Sequence, residues 1–158
     1  MKTKIITAIA LATVILSSGL YAAEKYPHQN EIEARKASMQ VNKFHLVLLS
    51  AMVRGTREYD AAIAEAAAKN MYASTQMNNI AMWPKGSDNS SAELKPHTDA
   101  LLVGWTESDK LMEKHKAWQD AAANLAANAG KGKDALKSVI GAVGKSCKGC
   151  HDDFKQQK

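Results

Sequence analysis

The chain is short of proline, of cysteine and of any alternating pattern, and each shortage closes off a class of protein. Pro27, Pro84 and Pro96 are its only prolines and alanine is abundant, so long stretches are free to be helical. No segment carries the period-two alternation of a half-buried strand. No run of lysine and arginine and no basic platform interleaved with aromatics is present. The formal charge of +5, or +3 without Lys2 and Lys4 (5 − 2), is too mild to argue for nucleic acid. The two cysteines are Cys147 and Cys150, and no second Cys-x-x-Cys and no His-x-x-x-His pair exists to complete a zinc site. Beyond the N-terminal region no apolar run is long enough to span a bilayer, which argues against stable membrane insertion.

What is present begins with an export signal. Lys2 and Lys4 precede an uncharged, largely apolar run from Ile5 to Leu16, followed by Ser17, Ser18, Gly19 and the small Ala22 and Ala23. This is the layout of a secretory signal peptide over residues 1–22, leaving 23–158 as one mature domain outside the cytoplasm, in a bacterium the periplasm. Apolar residues at helical spacing then predict four helices. The first runs from Asn30 to Arg54, with Gly55 as its stop, and the second from Arg57 to Met82 with Tyr59, Ile63, Ala66, Met77 and Ile80 as its apolar set. A polar loop from Trp83 to Lys95 separates them from a third helix over Pro96–Asn128, and a fourth runs from Lys133 to Phe154. Short links within the first and last pairs make antiparallel neighbours, so the expected fold is an all-α, up-down-up-down four-helix bundle. The many alanines have two readings of equal weight, helix propensity alone or close helix approach around a flat cofactor.

Near the C-terminus stands Cys147-Lys148-Gly149-Cys150-His151. Cys-x-x-Cys-His is the attachment signature of a c-type haem. Two thiols add to the two vinyl groups along one edge of the porphyrin, so they must sit about one helical turn apart and face the same way. The histidine that follows then points under the ring, where its imidazole binds iron. A redox disulfide would need a βαβ setting that this chain lacks. The apolar face of the fourth helix reads Leu136, Ile140, Val143, Cys147, Cys150/His151 and Phe154, which puts the motif on the core-facing stripe.

The stretch from Val143 to Lys155 resembles the C-terminal signature of the class II cytochromes c, the group of cytochrome c prime and its low-spin relatives. Two more stretches match in order, Ile32-Glu33-Ala34-Arg35-Lys36-Ala37-Ser38-Met39 on the first helix and the loop Trp83-Pro84-Lys85-Gly86-Ser87. The resemblance implies one covalent haem c held by Cys147 and Cys150, His151 as proximal iron ligand, and Arg35 near a haem propionate. It places Met39 over the distal face, and it is compatible with a homodimer through the first two helices. One position departs from the pattern. The residue four after the proximal histidine is commonly arginine in gas-binding members, and here it is Lys155.

The sixth iron position decides function. Ligation by Met39 would give a low-spin periplasmic electron carrier serving redox partner proteins, and this is the leading expectation. The alternative is a five-coordinate cytochrome c prime that binds nitric oxide or carbon monoxide, with Met39 as flexible core filling. An enzyme is not expected, since no acid-base pair is positioned as in a peroxidase distal site. Lys137, Lys145, Lys148, Lys155 and Lys158 read first as the solvent face of the fourth helix, and second as a basic ring that steers an acidic partner.

Overall fold

A computed structural model describes residues 24–157, so the expected export signal at 1–22 lies outside the described residues. Helix α1 (Gln29–Arg54) ends at Gly55, whose left-handed backbone (φ 79°) lets Gly55 and Thr56 donate back to the Met52 and Ala51 carbonyls. Helix α2 (Ala61–Thr75) starts where the Asp60 carboxylate accepts the Ile63 N–H at 2.9 Å. A 3-10 turn (Ile80–Met82) and one helical turn, α3 (Val103–Thr106), follow before α4 (Ser108–Asn128) and α5 (Lys133–Phe154). Among the described residues there is no strand, only the isolated bridge between Ala100 and Lys155. No described helix is long and apolar enough to cross a membrane.

The four long helices close into a bundle in which α1 packs on α2 and α5, and α4 packs on α2 and α5. One end is tied by Tyr59. Its hydroxyl donates to the Ala129 carbonyl (2.8 Å) and accepts from the Gly132 N–H (2.9 Å), joining the start of α2 to the α4–α5 turn. The turn lies close against α2: a Cβ on Gly130 would stand 3.0 Å from Glu65 Cβ. At the other end the Leu101 N–H donates to the Phe154 carbonyl (3.0 Å). The two ends fix an up-down-up-down course, as the sequence predicts.

Two of the helices differ from expectation in their boundaries. The second helix spans Ala61–Thr75, shorter at both ends than 57–82, because Asp60 caps its start and the Asn78 side chain captures the Ile80 N–H (3.3 Å) beyond its end. Its buried stripe is Ala64, Ala67, Ala68, Met71 and Thr75, while Ile63, Ala66, Met77 and Ile80 face outward. Small side chains win the inner face because the helices approach closely there. The third long helix starts at Ser108 and not at Pro96, since the chain around residue 100 runs alongside the C-terminal tail.

The core is uneven along the bundle. Leu49, Met52, Met71, Leu125, Leu136 and Val143 are fully buried with the alanines of α2 in one cluster toward the Tyr59 end. Toward the motif that cluster gives out at the half-buried Cys147. Removing the Tyr59 hydroxyl strands a turn N–H and a carbonyl, so Tyr59→Phe is expected to cost about 1–2 kcal/mol. Urea unfolding should show that loss, and a wild-type midpoint in the variant would show that other contacts hold the turn.

Candidate functional site

The motif occupies the last two turns of α5. Cys147 and Cys150 are both free thiols and both half-buried, and the His151 side chain is exposed. Burial pushes both thiols above their ordinary pKa. A Ser146 hydrogen bond opposes the rise at Cys147, and Cys147 itself adds to the rise at Cys150. Partial desolvation of the ring, and then the Lys155 charge, hold His151 below its usual value, which favours the neutral imidazole that metal ligation needs.

Whether this end fits a haem can be tested on its shape. Gly144 and Gly141 lie about two and nearly three turns before His151 along one side of α5, and a Cβ on either would meet nothing within 4 Å. The side chains that would otherwise stand against a flat ring are missing there. Met39 on α1 is 44% exposed. The Trp118 Nε1 on α4 is buried with no hydrogen-bond partner among the described residues. Two thiols, an imidazole, an open apolar surface and a buried donor seeking an acceptor suit a planar macrocycle that carries carboxylates.

Arg35 is 4% exposed, and its guanidinium is almost fully committed. One terminal nitrogen donates to Ser87 Oγ (2.7 Å) and the Met82 carbonyl (3.3 Å). The other donates to Thr98 Oγ1 (2.8 Å) and the Ser87 carbonyl. The Trp83 ring lies 4.7 Å from its central carbon, a cation–π contact, and the Trp105 ring lies 5.9 Å away, tilted against Trp83 at 5.8 Å. Burial lowers its pKa, opposed by Asp88 and Glu31. Only Nε–H is left without a partner among the described residues, so a propionate could take one hydrogen bond from Arg35 but not a bidentate fork. Ser87, Asp88 and Thr98 form this cradle. Sequence reasoning registered Ser87 in the loop motif but had no signal for its partner.

Met39 follows Arg35 by one turn of α1, and the next turn carries the buried Asn42, which accepts from Ser74 Oγ on α2 (2.7 Å). His45 lies further along the same helix with a buried, unpartnered Nδ1 and a pKa lowered by burial. His97 sits in the long connection, stacked on Tyr26 at 3.8 Å, and does not begin a helix. His115 is half-buried, edge-on to Trp118 at 5.7 Å. Of the lysines read from the sequence, Lys148 pairs with Asp152 and Lys155 with Asp99 at 3.5 Å, while Lys137 and Lys145 are exposed. That pairing favours the solvent-face reading of these lysines over a basic steering ring.

A four-helix bundle that carries a haem-attachment motif on its last helix defines a class of c-type cytochrome. A family model described as Cytochrome C' matches residues 30–155. A cytochrome c' from Cereibacter sphaeroides is 32% identical over 152 residues, covering 95% of this chain and 98% of the relative. A solved Rhodobacter cytochrome c' superposes with a TM-score of 0.78 at 30% identity, covering 83% of this chain and 98% of that one. A cytochrome c' from Alcaligenes xylosoxidans, solved as a ferrous variant with nitric oxide bound, gives a TM-score of 0.70 at 26% identity over 83% of this chain and 97% of that one. The chain belongs to the cytochrome c' family, whose cofactor is covalently attached haem c.

Arg35→Lys keeps the charge but loses the fork that holds Ser87 and Thr98 together. The expected outcome is faster amide hydrogen exchange across residues 86–100 and a stability loss of about 2–3 kcal/mol. Wild-type exchange rates in the variant would show that the loop is held by other contacts.

Proposed function

We propose that this protein is an exported, periplasmic haem protein that binds a diatomic gas, nitric oxide or carbon monoxide, at the iron. In this reading Cys147 and Cys150 carry the haem through thioethers, and His151 supplies the proximal ligand. Met39 overlooks the other face, and Arg35 neutralises a propionate through its remaining N–H. The bound haem supplies an iron with an axial position for the gas, and the chain supplies attachment, orientation and shielding. The observation that carries the reading is the match of the cytochrome c' family model to nearly the whole described chain. The near full-length likeness to cytochromes c', one of them solved with nitric oxide bound, supports the same choice.

The electron-carrier reading has one observation in its favour. Met39 follows the buried Arg35 by one turn of α1 and shares its side of the helix with the buried Asn42, so a thioether is available there as a candidate ligand. Spectra of the haem-loaded protein separate the two. The gas-binding reading expects a broad high-spin reduced spectrum that sharpens on adding carbon monoxide, with little change in Met39→Ala. Sharp, split α and β bands without gas, lost in Met39→Ala, would install the carrier in its place.

A second copy of the chain is the partner we propose for the outer face of α1. Val41 (54%), Phe44 (63%) and Val47 (53%) expose a continuous apolar stripe there. A relative's structure is described as showing ligand-controlled dimer dissociation, which supports the idea. Phe44→Glu is expected to shift the sedimentation of the haem-loaded protein from dimer to monomer without altering its spectrum. A wild-type protein that sediments as a monomer at high concentration would remove the proposal.

A further inference from the structure

Three sets of ion pairs surround the motif end of α5. Lys148 pairs with Asp152 within the helix, and Lys110 and Lys114 of α4 pair with Asp153 at 3.3 and 3.1 Å. The third, Lys155 Nζ with Asp99 Oδ2 at 3.5 Å, is built differently. Its carboxylate comes from the long connection between α2 and α4, and the backbone holds both partners in place. The Lys155 N–H donates to the His151 carbonyl (3.2 Å). The Gln156 N–H donates to the Asp99 carbonyl (2.8 Å), and the Leu101 N–H to the Phe154 carbonyl (3.0 Å). Ala100 and Lys155 thereby form an antiparallel bridge. Asn89 adds a clamp from behind, its N–H on the Ala100 carbonyl at 2.8 Å and its side chain on Gln156.

We propose that Asp99 is a positioning residue for the proximal side of the haem: it holds the Lys155 ammonium in a neutral pair one turn from His151 and so prevents that charge from raising the reduction potential of the iron. Reduction adds one electron to the iron and breaks no bond, so the potential follows the charge around it. A bare cation nearby favours the ferrous form, and a bare anion favours the ferric. Asp99 offsets much of the Lys155 charge, although part of that charge still reaches His151. With Lys155 43% exposed and Asp99 29%, the field of either charge alone is partly screened and depends on salt. The inference requires haem at His151 but neither reading of the sixth position.

The test is the midpoint potential of the haem-loaded full protein, read by mediated optical titration. Asp99→Asn is expected to raise it and Lys155→Gln to lower it. The double variant should return toward wild type, and Lys155→Arg should match wild type. Both single shifts should shrink between about 10 mM and about 500 mM salt. A pair that acts only as a clamp would move both single variants the same way and leave the double variant no closer to wild type. That result overturns the proposal, and so does the absence of any shift in the singles. Absence of a haem spectrum from the wild type would instead sink haem attachment at the motif, a separate failure.

Discussion

A buried guanidinium governs the motif end of this bundle. Arg35 carries a permanent charge into a position 4% exposed, and a charge there must be met by acceptors or the fold pays several kcal/mol. The acceptors come from the long connection between α2 and α4: Ser87 twice, Thr98 and the Met82 carbonyl. Thr98 Oγ1 also accepts the Ala100 N–H at 3.2 Å, so the residue that satisfies Arg35 sets up the one that bridges to Lys155. An unbroken chain of bonds therefore runs from the inner side of α1 to the tail just past His151. The two faces of the proposed haem site share a single support.

That support explains which parts of the structure were legible in the sequence. The α5 boundaries came out as expected because its information is local: Gly132 before it, apolar spacing along it and the motif at its end. The bundle topology was legible for the same reason, since short links leave few alternatives. The start of the third long helix was not. Residues 96–107 have ordinary helical composition, but pairing with the C-terminal tail and bonding to Arg35 outweigh it, and neither contact leaves a mark in local sequence. The inner face of α2 was misread because hydrophobicity was used where size decides. Ile63 was the obvious core candidate, yet close helix approach gives Ala64, Ala67 and Ala68 the interior.

At the site, the attachment residues were legible because their chemistry demands a fixed spacing, whereas the partners of Arg35 and Lys155 were not. Asp99 lies far from Lys155 in sequence, and no periodicity connects them. The uneven core belongs to the same account. Composition offered two meanings for the alanines, and the structure separates them by position: those of α2 are packed with the closed half of the bundle, while Gly141 and Gly144 keep a side of α5 open near the motif. Stability is concentrated at the Tyr59 end, which leaves the motif end free to be shaped for a ligand.

The sixth iron position then reduces to a side-chain question. Backbone movement of α1 is restrained on both sides of Met39, by Arg35 in its cradle one turn before and by Asn42 bonded to Ser74 one turn after. Whether sulfur stands over the iron is thus decided by the methionine's own rotamers. Fixing such a side chain costs about 1–2 kcal/mol of conformational freedom, a cost an incoming gas molecule does not share. A ligand that competes with Met39 need displace only a flexible thioether, and the bundle need not move to admit it. On the gas-binding reading proposed above, with Met39 over the distal face, a small molecule could enter by displacing one side chain while the helix stays where Arg35 and Asn42 hold it.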